Sequence, residues 1–457
     1  MLTYDLSKQN KLSLYDKLYR CIRDDILSGT LKAGEKLPAK RRLAENLGIS
    51  VITVENAYSQ LMAEGYITSK ERSGFYVEAI EQSKAKKKLP AREEPSCRTV
   101  FPSERPNAEV FPFSVWAKLM RETLLEGSER LLEAQPHEGA YALRKAIADY
   151  IYRSRGIETS PEQIIVGAGT EYIYSLLVQL FGQDKVFGVE DPGYQKTAAI
   201  YLANGAKCVY LPMDKHGVSL SALEGSGVEI LHITPTHHYP TGIITPIKRR
   251  QELLAWARER EGRFIIEDDY DSEFRIAGRP IPSLQSIDAD DKVIYVNTFS
   301  KTLAHSIRIS YMILPRKLLD LYREKLGFYA SAVPSFEQYT LAKFIERGYF
   351  ERHLNRMRTI YKKRREAILQ KIEGLKFRSR YEIVASNSGL QCLLRVKTNR
   401  SDEELIERAK ALSVRISCLS QYSRLCEQKY DHTILLNYSK EEYADLSFLD
   451  GILEPLP

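Results

Sequence analysis

Short apolar runs recur six times between residues 163 and 300, and this repetition constrains the fold more than any other feature of the chain. Helical stretches separate the runs. Strands that alternate with helices predict an α/β domain whose sheet is largely parallel. The six runs are QIIVGAG, KVFGVED, KCVYLPM, EILHITP, RFIIEDDYD and KVIYVNTFS.

The predicted strands end in small or polar residues. In open α/β sheets, ligands bind in the crevice at the carboxyl ends of the strands. Gly169 and Thr170 precede the helical stretch TEYIYSLLVQLF, and a glycine at a helix N-terminus is typical of a phosphate site. Asp191, Asp268 and Thr298 end three further runs. We therefore expect chemically different groups to meet in one crevice.

A lysine lies just beyond the sixth run, in the stretch NTFSKTLAHSIRIS. Lys301 stands among small hydroxyl residues, and most lysines in such loops are simply solvated. Here Thr298, Ser300 and Arg308 flank it, and they could bind the same phosphate as the helix at Thr170. The question is then whether other groups of the crevice give this lysine a chemical partner.

An acid, a phenol and an aromatic ring complete the set. Asp268 would keep a pyridine nitrogen protonated, Tyr270 would hydrogen-bond a ring oxygen, and Tyr194 would supply a flat ring. Taken alone, Asp268 could cap a helix and Tyr194 could belong to the core. Together, in this order and at strand ends, these residues predict a site for pyridoxal 5'-phosphate (PLP), in which Lys301 forms a Schiff base with the cofactor.

The first 78 residues have a different pattern, which predicts a helix-turn-helix followed by a wing. Apolar residues spaced by four from Leu14 to Ile26 indicate a helix that ends at Gly29. A short second helix reaches Leu47, and Ser50 is a suitable N-cap for a third. The stretch YITSKERSGFYV then alternates like a hairpin with Ser73–Gly74 at its tip.

Such a module binds DNA by placing its later helix in the major groove. Residues 1–90 contain 16 Lys and Arg against 11 Asp and Glu, hence +5 of the formal net charge of +7, which favours a polyanionic partner. A helical docking domain with a basic face is the alternative. The candidate base contacts are Ser50, Val51, Thr53, Val54 and Asn56. The candidate phosphate and wing contacts are Lys40, Arg41, Arg42, Arg72 and Gly74.

Two resemblances sharpen these predictions. Residues 31–77 resemble the winged helix of the GntR family of bacterial transcription regulators nearly throughout. The motifs VGAGTEYIYSLL, EDPGY, PTHHYPTG, IIEDDYDSEFR and NTFSKTLAHSIRISYMILP resemble fold-type I aminotransferases over roughly residues 108–457. Joined in one chain, the two parts resemble the MocR/GabR family of regulators. The resemblance implies a homodimer, because fold-type I sites form near a subunit interface.

The domain organisation follows from the same patterns. We expect a winged helix-turn-helix domain at 1–78 and a linker at 79–107, which is rich in Lys, Glu, Ser and Pro. An α/β domain of the PLP-dependent transferase fold type I is expected at 108–457, with a large part at about 150–330 and a small part at about 331–457.

The sequence departs from the aminotransferase pattern at two positions. Tyr239 stands where the enzymes have an asparagine beside the ring oxygen, and because a phenol can donate the same hydrogen bond, we assign it to the cofactor site. Leu435 stands where the enzymes place an arginine for the substrate carboxylate. Lys196 and Arg415 are the candidate substitutes that could bind an effector. In the winged helix, Val51 stands where many GntR members carry arginine.

Two functions remain open. The first is a transcription regulator whose aminotransferase-like domain senses PLP or an amine or amino-acid effector. The second is a working aminotransferase with an accessory N-terminal module. The winged helix favours the regulator, because an aminotransferase has no use for it, and Leu435 predicts weak transamination at most. A regulator that has lost its cofactor is disfavoured, since the cofactor residues named above are retained.

The remaining features bear on location and metals. The chain has no apolar run of membrane-spanning length and no signal peptide at its N-terminus, so we expect a cytoplasmic protein without a membrane partner. The six cysteines are scattered without metal or disulfide spacing. This predicts a reducing compartment and no metal site.

Overall fold

The computed structural model describes residues 2–4, 6, 13–71, 73–79, 110–127, 129, 131–274, 281–385, 389–438 and 446–454. Contacts divide the chain into two compact units, Met1–Pro95 and Ser96–Pro457. The boundary lies within the predicted linker, whose residues beyond Ala79 are outside the described part. Each unit has its own hydrophobic core.

Three helices and a hairpin form the first unit, in the order that the sequence predicts. They are α1 (Leu14–Ser28), α2 (Lys40–Leu47), α3 (Val51–Ala63), β1 (Ile67–Lys70) and β2 (Gly74–Val77). The two strands are antiparallel. One residue per turn of α1 packs against α3, because side chains four apart lie on one helix face. The main residues of this core are Leu18, Ile22, Ile26, Val54, Tyr58 and Leu61.

The turn between α2 and α3 fixes the geometry of the helix-turn-helix. Gly48 ends α2 with a φ of 64°, a left-handed conformation that glycine adopts without strain. Ser50 then caps α3, because its Oγ accepts a hydrogen bond from the backbone N–H of Thr53 at 3.1 Å. Tyr58 on α3 donates its hydroxyl to the Pro38 carbonyl at 2.9 Å and so fixes the start of α2.

An eight-stranded sheet forms the centre of the second unit. Its strands are β3 (Ile164–Gly167), β4 (Val186–Asp191), β5 (Lys207–Asp214), β6 (Gly217–Val218), β7 (Ile230–Ile233), β8 (Phe264–Asp268), β9 (Val293–Thr298) and β10 (Ser310–Ile313). Their order is β3-β10-β9-β8-β7-β4-β5-β6. Strands β4, β5, β7, β8 and β9 pair in parallel with their neighbours in this group. Strand β6 is antiparallel to β5, and β10 is antiparallel to both of its neighbours. The predicted largely parallel α/β sheet is confirmed.

Helices cover both faces of this sheet. They are α4 (Phe113–Glu126), α5 (Tyr141–Arg155), α6 (Thr170–Phe181), α7 (Gln195–Ala203), α8 (Leu220–Glu224), α9 (Ile247–Arg258), α10 (Phe299–Thr302) and α11 (Leu319–Leu326). Strand side chains alternate between the two layers: Ile164 and Val166 pack on one side, and Ile165 packs on the other. Among the described residues, no helix is long and apolar enough to cross a membrane.

A second, three-stranded sheet lies in the C-terminal part. Its antiparallel strands are β11 (Tyr381–Ala385), β12 (Gln391–Val396) and β13 (Thr433–Asn437), and its helices are α13 (Tyr349–Glu373), α14 (Asp402–Ala411) and α15 (Ser447–Leu453). The core of this part begins at Ile368, in the second half of α13. The preceding helix, α12 (Ser335–Glu346), instead packs on α4 and α5, where Gln338 accepts a hydrogen bond from the Ala140 N–H at 2.7 Å.

The cap of α3 gives a first test. We expect Ser50→Ala to destabilise the start of α3 by about 1 kcal/mol, because one backbone N–H loses its partner. Hydrogen exchange of the full chain, followed by mass spectrometry, should show faster exchange in peptides from residues 51–63. The control is Ser59→Ala, an exposed serine in the interior of the same helix. Equal exchange in both variants would contradict the capping role.

Candidate functional site

The carboxyl edge of the large sheet borders a cavity of about 370 Å³. Parallel strands place their carboxyl ends at one edge, so residues distant in sequence meet there. Nine of the ten residues that the sequence analysis assigned to the cofactor line this cavity. They are Thr170, Tyr194, Tyr239, Asp268, Tyr270, Thr298, Ser300, Lys301 and Arg308. The tenth, Gly169, immediately precedes Thr170.

Asp268 is the acidic group of the cavity and has partners on one oxygen. Its Oδ2 accepts the hydroxyl of Tyr174 at 2.5 Å and lies 3.5 Å from Nε2 of His232. His232 in turn bonds the Tyr201 hydroxyl through Nδ1 at 2.6 Å. The other oxygen, Oδ1, is buried and has no hydrogen-bond partner among the described residues. A buried carboxylate oxygen without a donor is costly, so this atom is suited to a ligand donor.

Hydroxyl and guanidinium groups surround the start of α6. Thr298 Oγ1 accepts hydrogen bonds from the Ser300 N–H at 3.1 Å and from the Ser310 hydroxyl at 2.8 Å. The hydroxyl of Ser300 is buried without a partner among the described residues. Arg308 lies so close to Gly169 that a β-carbon on that glycine would be 2.4 Å from Nη2. A side chain at position 169 would therefore displace the guanidinium.

Four tyrosines form a further wall of the cavity. The ring of Tyr239 makes edge contacts with Tyr194, Tyr270 and Tyr422 at centroid distances of 5.6, 6.0 and 5.5 Å. The hydroxyls of Tyr239 and Tyr422 are 3.3 Å apart. Burial raises the pKa of Tyr270 well above its usual value, with nearby Asp271 acting in the same direction. Its hydroxyl therefore remains protonated and can donate a hydrogen bond.

Tyr422 comes from the C-terminal part, and the sequence analysis missed it. The loop that contains Tyr422 is bound to Asp191, at the end of β4. The carboxylate of Asp191 accepts hydrogen bonds from the Ser423 hydroxyl at 2.6 Å, the Arg424 N–H at 2.6 Å and the Leu425 N–H at 3.1 Å. The sequence marked Asp191 as a strand end, but its partners are more than 200 residues away. Only the fold reveals this connection.

Glu190 is a second missed residue, because it reads as an ordinary strand position. It lines the cavity, and its Oε2 accepts hydrogen bonds from the N–H and hydroxyl of Thr234, both at 2.8 Å. Burial raises the pKa of Glu190 to about 8. Burial also lowers the pKa of the neighbouring His238 to about 3. Both side chains are therefore uncharged at neutral pH.

The structure does not bring the two candidate effector residues into the cavity lining. Lys196 forms an ion pair with Glu171, and Glu171 lies 3.7 Å from Arg308. Arg415 is exposed and is not part of the lining. Leu435 is buried in a small apolar cluster, whereas Asn437, two residues along the same strand, lines the cavity.

The candidate DNA contacts lie on the first unit. Arg41 and Arg42 are exposed at the start of α2, and Lys40 pairs with Glu55 at 2.7 Å. Among the predicted base contacts, Asn56 is exposed, while Ser50 and Thr53 bond each other at the helix cap and Val54 is buried in the core. Gly74 begins β2 with a φ of 116°. Arg72 lies outside the described residues.

Taken together, the fold defines a class of protein. A winged helix-turn-helix precedes a domain with the architecture of a PLP-dependent transferase of fold type I, and the candidate site lies where that architecture places its ligand. A DNA-binding module joined to a ligand-binding domain is the organisation of a transcription regulator.

Comparisons with known families agree with this assignment. Residues 14–77 match the bacterial regulatory proteins of the gntR family, and residues 105–426 match aminotransferase class I and II. The HTH-type transcriptional regulator YdeL of Bacillus subtilis is 40% identical over 422 residues, which cover 91% of each chain. The chain belongs to the MocR-type regulators, in which a gntR-family winged helix is fused to an aminotransferase-like domain.

Two further relatives carry more specific names. The probable rhizopine catabolism regulatory protein MocR of Rhizobium meliloti is 33% identical over 91% of this chain and 88% of its own length. The pyridoxine biosynthesis transcriptional regulator PdxR of Corynebacterium glutamicum is 29% identical over 91% of this chain and 90% of its own length. The chain is a DNA-binding transcription regulator, as the sequence predicts.

Solved structures agree on the fold of the second unit. The multiple substrate aminotransferase of Thermococcus profundus matches 79% of this chain and 90% of its own, with a TM-score of 0.67 and 24% identity. The kynurenine aminotransferase of Pyrococcus horikoshii matches 78% of this chain and 89% of its own, with a TM-score of 0.66 and 22% identity. At these identities the comparison establishes the fold alone.

Glu190 gives a test of the cavity's electrostatics. Its pKa is raised in the folded protein, so the folded state keeps a proton that the unfolded state releases. Stability should therefore fall as pH rises from about 4.5 toward 8, by at most about 1.4 kcal/mol per pH unit from this group. We expect Glu190→Gln to remove this contribution and to be stabilising mainly at the alkaline end.

The measurement is the midpoint of urea unfolding of the wild type and of Glu190→Gln between about pH 5 and pH 8. Glu224→Gln, at an exposed position on α8, is the control and should leave the pH profile unchanged. A Glu190→Gln profile parallel to that of the wild type would show that Glu190 is ionised throughout.

Proposed function

We propose that this regulator binds PLP on Lys301 and that occupancy of the cavity, by PLP or by an amine-bearing ligand that reacts with it, controls operator binding. The observation that carries the proposal is the set of unmatched polar atoms in the cavity. Asp268 Oδ1 and Ser300 Oγ are buried without partners among the described residues, and both residues line the cavity together with Lys301.

The donor set fits PLP at both of its ends. The hydroxyls of Thr298 and Ser300, the Arg308 guanidinium and the start of α6 suit a phosphate dianion. The space that the missing side chain of Gly169 leaves beside Arg308 supports the same assignment. At the other end, Asp268 can accept a hydrogen bond from a protonated pyridine nitrogen through its partnerless oxygen.

Each protein group has a definable role toward the cofactor. Lys301 supplies the amine that binds covalently, Asp268 holds a proton at the ring nitrogen, and Tyr270 donates a hydrogen bond to the ring oxygen. Tyr239 lies beside Tyr270 and can donate to the same oxygen. When bound, PLP supplies an electrophilic carbon that reacts with amines. A cavity that holds PLP would thus select ligands that carry an amino group.

The character of the effector follows from which charges line the cavity. Among the described lining residues, the lysine and arginine side chains are Lys301 and Arg308, and both are assigned to the cofactor. A buried carboxylate needs a cationic partner, so an α-amino acid is held less well than an amine without a carboxylate or PLP itself. The name of the PdxR relative, which regulates pyridoxine biosynthesis, also favours PLP as the signal.

The same observation bears on the alternative function. An aminotransferase must hold the carboxylate of its substrate, and Leu435 lies in an apolar cluster outside the cavity lining. Transamination of common amino acids should therefore be weak. We further propose a cytoplasmic homodimer, which would present two winged helices to a repeated operator and needs no metal.

Cofactor binding is tested with a matched pair of glycine variants. Gly169→Ala should lower PLP affinity at least about tenfold, or by about 1.4 kcal/mol, because its β-carbon displaces Arg308. Gly182→Ala is the control, because its φ of 98° is close to the 96° of Gly169 but its β-carbon would meet the Asp184 side chain instead of Arg308. Titration followed by the absorbance of bound PLP gives both affinities.

The covalent link is located in the same preparation by borohydride reduction and peptide mapping. PLP should be found on Lys301, and Lys301→Ala should take up none covalently while remaining folded. PLP on another lysine, or equal affinities in the two glycine variants, would contradict the assignment.

Operator binding tests the regulatory step. The full chain should bind its own promoter region with an affinity that differs at least about threefold between PLP-loaded and PLP-free protein, and Lys301→Ala should lose this difference. Arg41→Ala should instead weaken binding to all DNA and reduce the salt dependence. If PLP does not change the operator affinity but an amine from a test panel does, the signal is an amine ligand and not PLP. Indifference to both would refute the sensing role.

A further inference from the structure

The helix that enters the major groove carries no positive charge. Helix α3, VITVENAYSQLMA, contains no Lys, Arg or His. Its buried face, which includes Val54 and Tyr58, packs into the core of the first unit. The face left for DNA therefore consists of apolar and neutral polar groups and one carboxylate. Its members are Val51, Ile52, Glu55, Asn56, Ser59 and Gln60.

Two aliphatic side chains on this face lie outside the core. Val51 is 41% exposed and Ile52 is 68% exposed, at the end of α3 that reaches base edges in helix-turn-helix modules. These exposed β-branched side chains contribute little to the stability of the fold, because neither belongs to the apolar core of the first unit. They give a DNA-binding surface an apolar patch.

The one charged group on this face is neutralised within the protein. Glu55 accepts a salt bridge from Lys40 at 2.7 Å, and the Lys40 ammonium also lies 5.3 Å from the centroid of the Phe75 ring. Exposed cations are present on α2, at Arg41 and Arg42. Charge is thus available for the phosphates at the edge of the groove, while the groove-facing helix itself is nearly neutral.

Base chemistry then restricts what α3 can read. Guanine is read chiefly by Arg or Lys through O6 and N7, and α3 has neither. The apolar group in the major groove is the C5-methyl of thymine, and adenine is read by asparagine through N6 and N7. Val51 and Ile52 match the first, and Asn56 matches the second.

We propose that α3 reads A·T base pairs, with Val51 and Ile52 packing on thymine methyl groups and Asn56 bonding an adenine. This inference rests on DNA binding by the first unit and goes beyond it by naming the base composition of the half-site. In this proposal, α3 contacts the bases and determines sequence preference, whereas Arg41 and Arg42 contact phosphates and provide affinity for any DNA sequence.

Replacing thymine by uracil tests the proposal, because this removes one methyl group and leaves the base pairing intact. The full chain is titrated with its promoter fragment, in which the thymines of the protected half-site are replaced one at a time. At one or two positions we expect about fourfold weaker binding, which corresponds to about 0.8 kcal/mol for one buried methyl group. Ile52→Ala and Val51→Ala should each lose this sensitivity at one of those positions.

Matched variants separate the outcomes. Arg41→Ala should weaken binding to the thymine-containing and the uracil-containing fragment equally. The ratio of the two affinities should therefore stay as in the wild type. Circular dichroism checks that Ile52→Ala remains folded, as the exposure of this side chain implies. The proposal would be overturned, with DNA binding intact, if the protein binds a half-site tightly and no thymine-to-uracil replacement changes the affinity. A half-site whose contacted base pairs are G·C would overturn it as well. Absence of any DNA binding by the folded wild-type chain would instead refute the proposed function itself.

Discussion

The parallel pairing of β4, β7, β8 and β9 is the constraint on which the candidate site depends. It brings Glu190, Asp268 and Thr298 to one edge, although they are far apart in sequence. The antiparallel strand β10 then follows a turn in which Arg308 has a φ of 51° and points back toward Gly169. The turn that leads into this antiparallel strand thus supplies the guanidinium that the parallel strands lack.

Buried charge behind the sheet stabilises this arrangement. The Arg155 guanidinium pairs with Asp269 at 2.9 Å, and the Glu267 carboxyl accepts the N–H groups of Leu284 and Gln285, both at 2.8 Å. Asp269 directly follows Asp268, so the ion pair of Asp269 fixes the chain at the end of β8. Breaking such buried pairs is costly, which keeps β8 in one register and Asp268 in one orientation.

The sequence predicted the parts of this molecule that depend on local pattern. The apolar runs indicated the sheet, and the glycine and serine signals indicated the helix-turn-helix. The strand ends, the segments that follow them and the resemblance to aminotransferases together indicated nine residues of the cavity lining. Two kinds of residue were beyond its reach. Tyr422 reaches the cavity because its loop bonds Asp191, which is more than 200 positions away in the sequence. Glu190 is unusual only because burial raises the pKa of its carboxyl group. Neither property is local.

The candidate effector residues illustrate the same limit. Lys196 and Arg415 were named because a carboxylate needs a cation, yet Lys196 pairs with Glu171, and Arg415 is exposed and lies outside the lining. Composition indicated which chemistry was needed, but only the packing of β13 determines which side chains the cavity receives. There, Asn437 lines the cavity and Leu435 does not.

The hydrogen bonds of Asp191 have a consequence for how a signal could leave the cavity. Tyr422, whose carbonyl also accepts the Gly193 N–H at 3.0 Å, cannot withdraw from Tyr239 without straining the three donors bound to Asp191. Several bonds that break together favour two discrete arrangements over a continuum. Because the Ser423 hydroxyl and the N–H groups of Arg424 and Leu425 share one carboxylate, this loop is held or released as a unit.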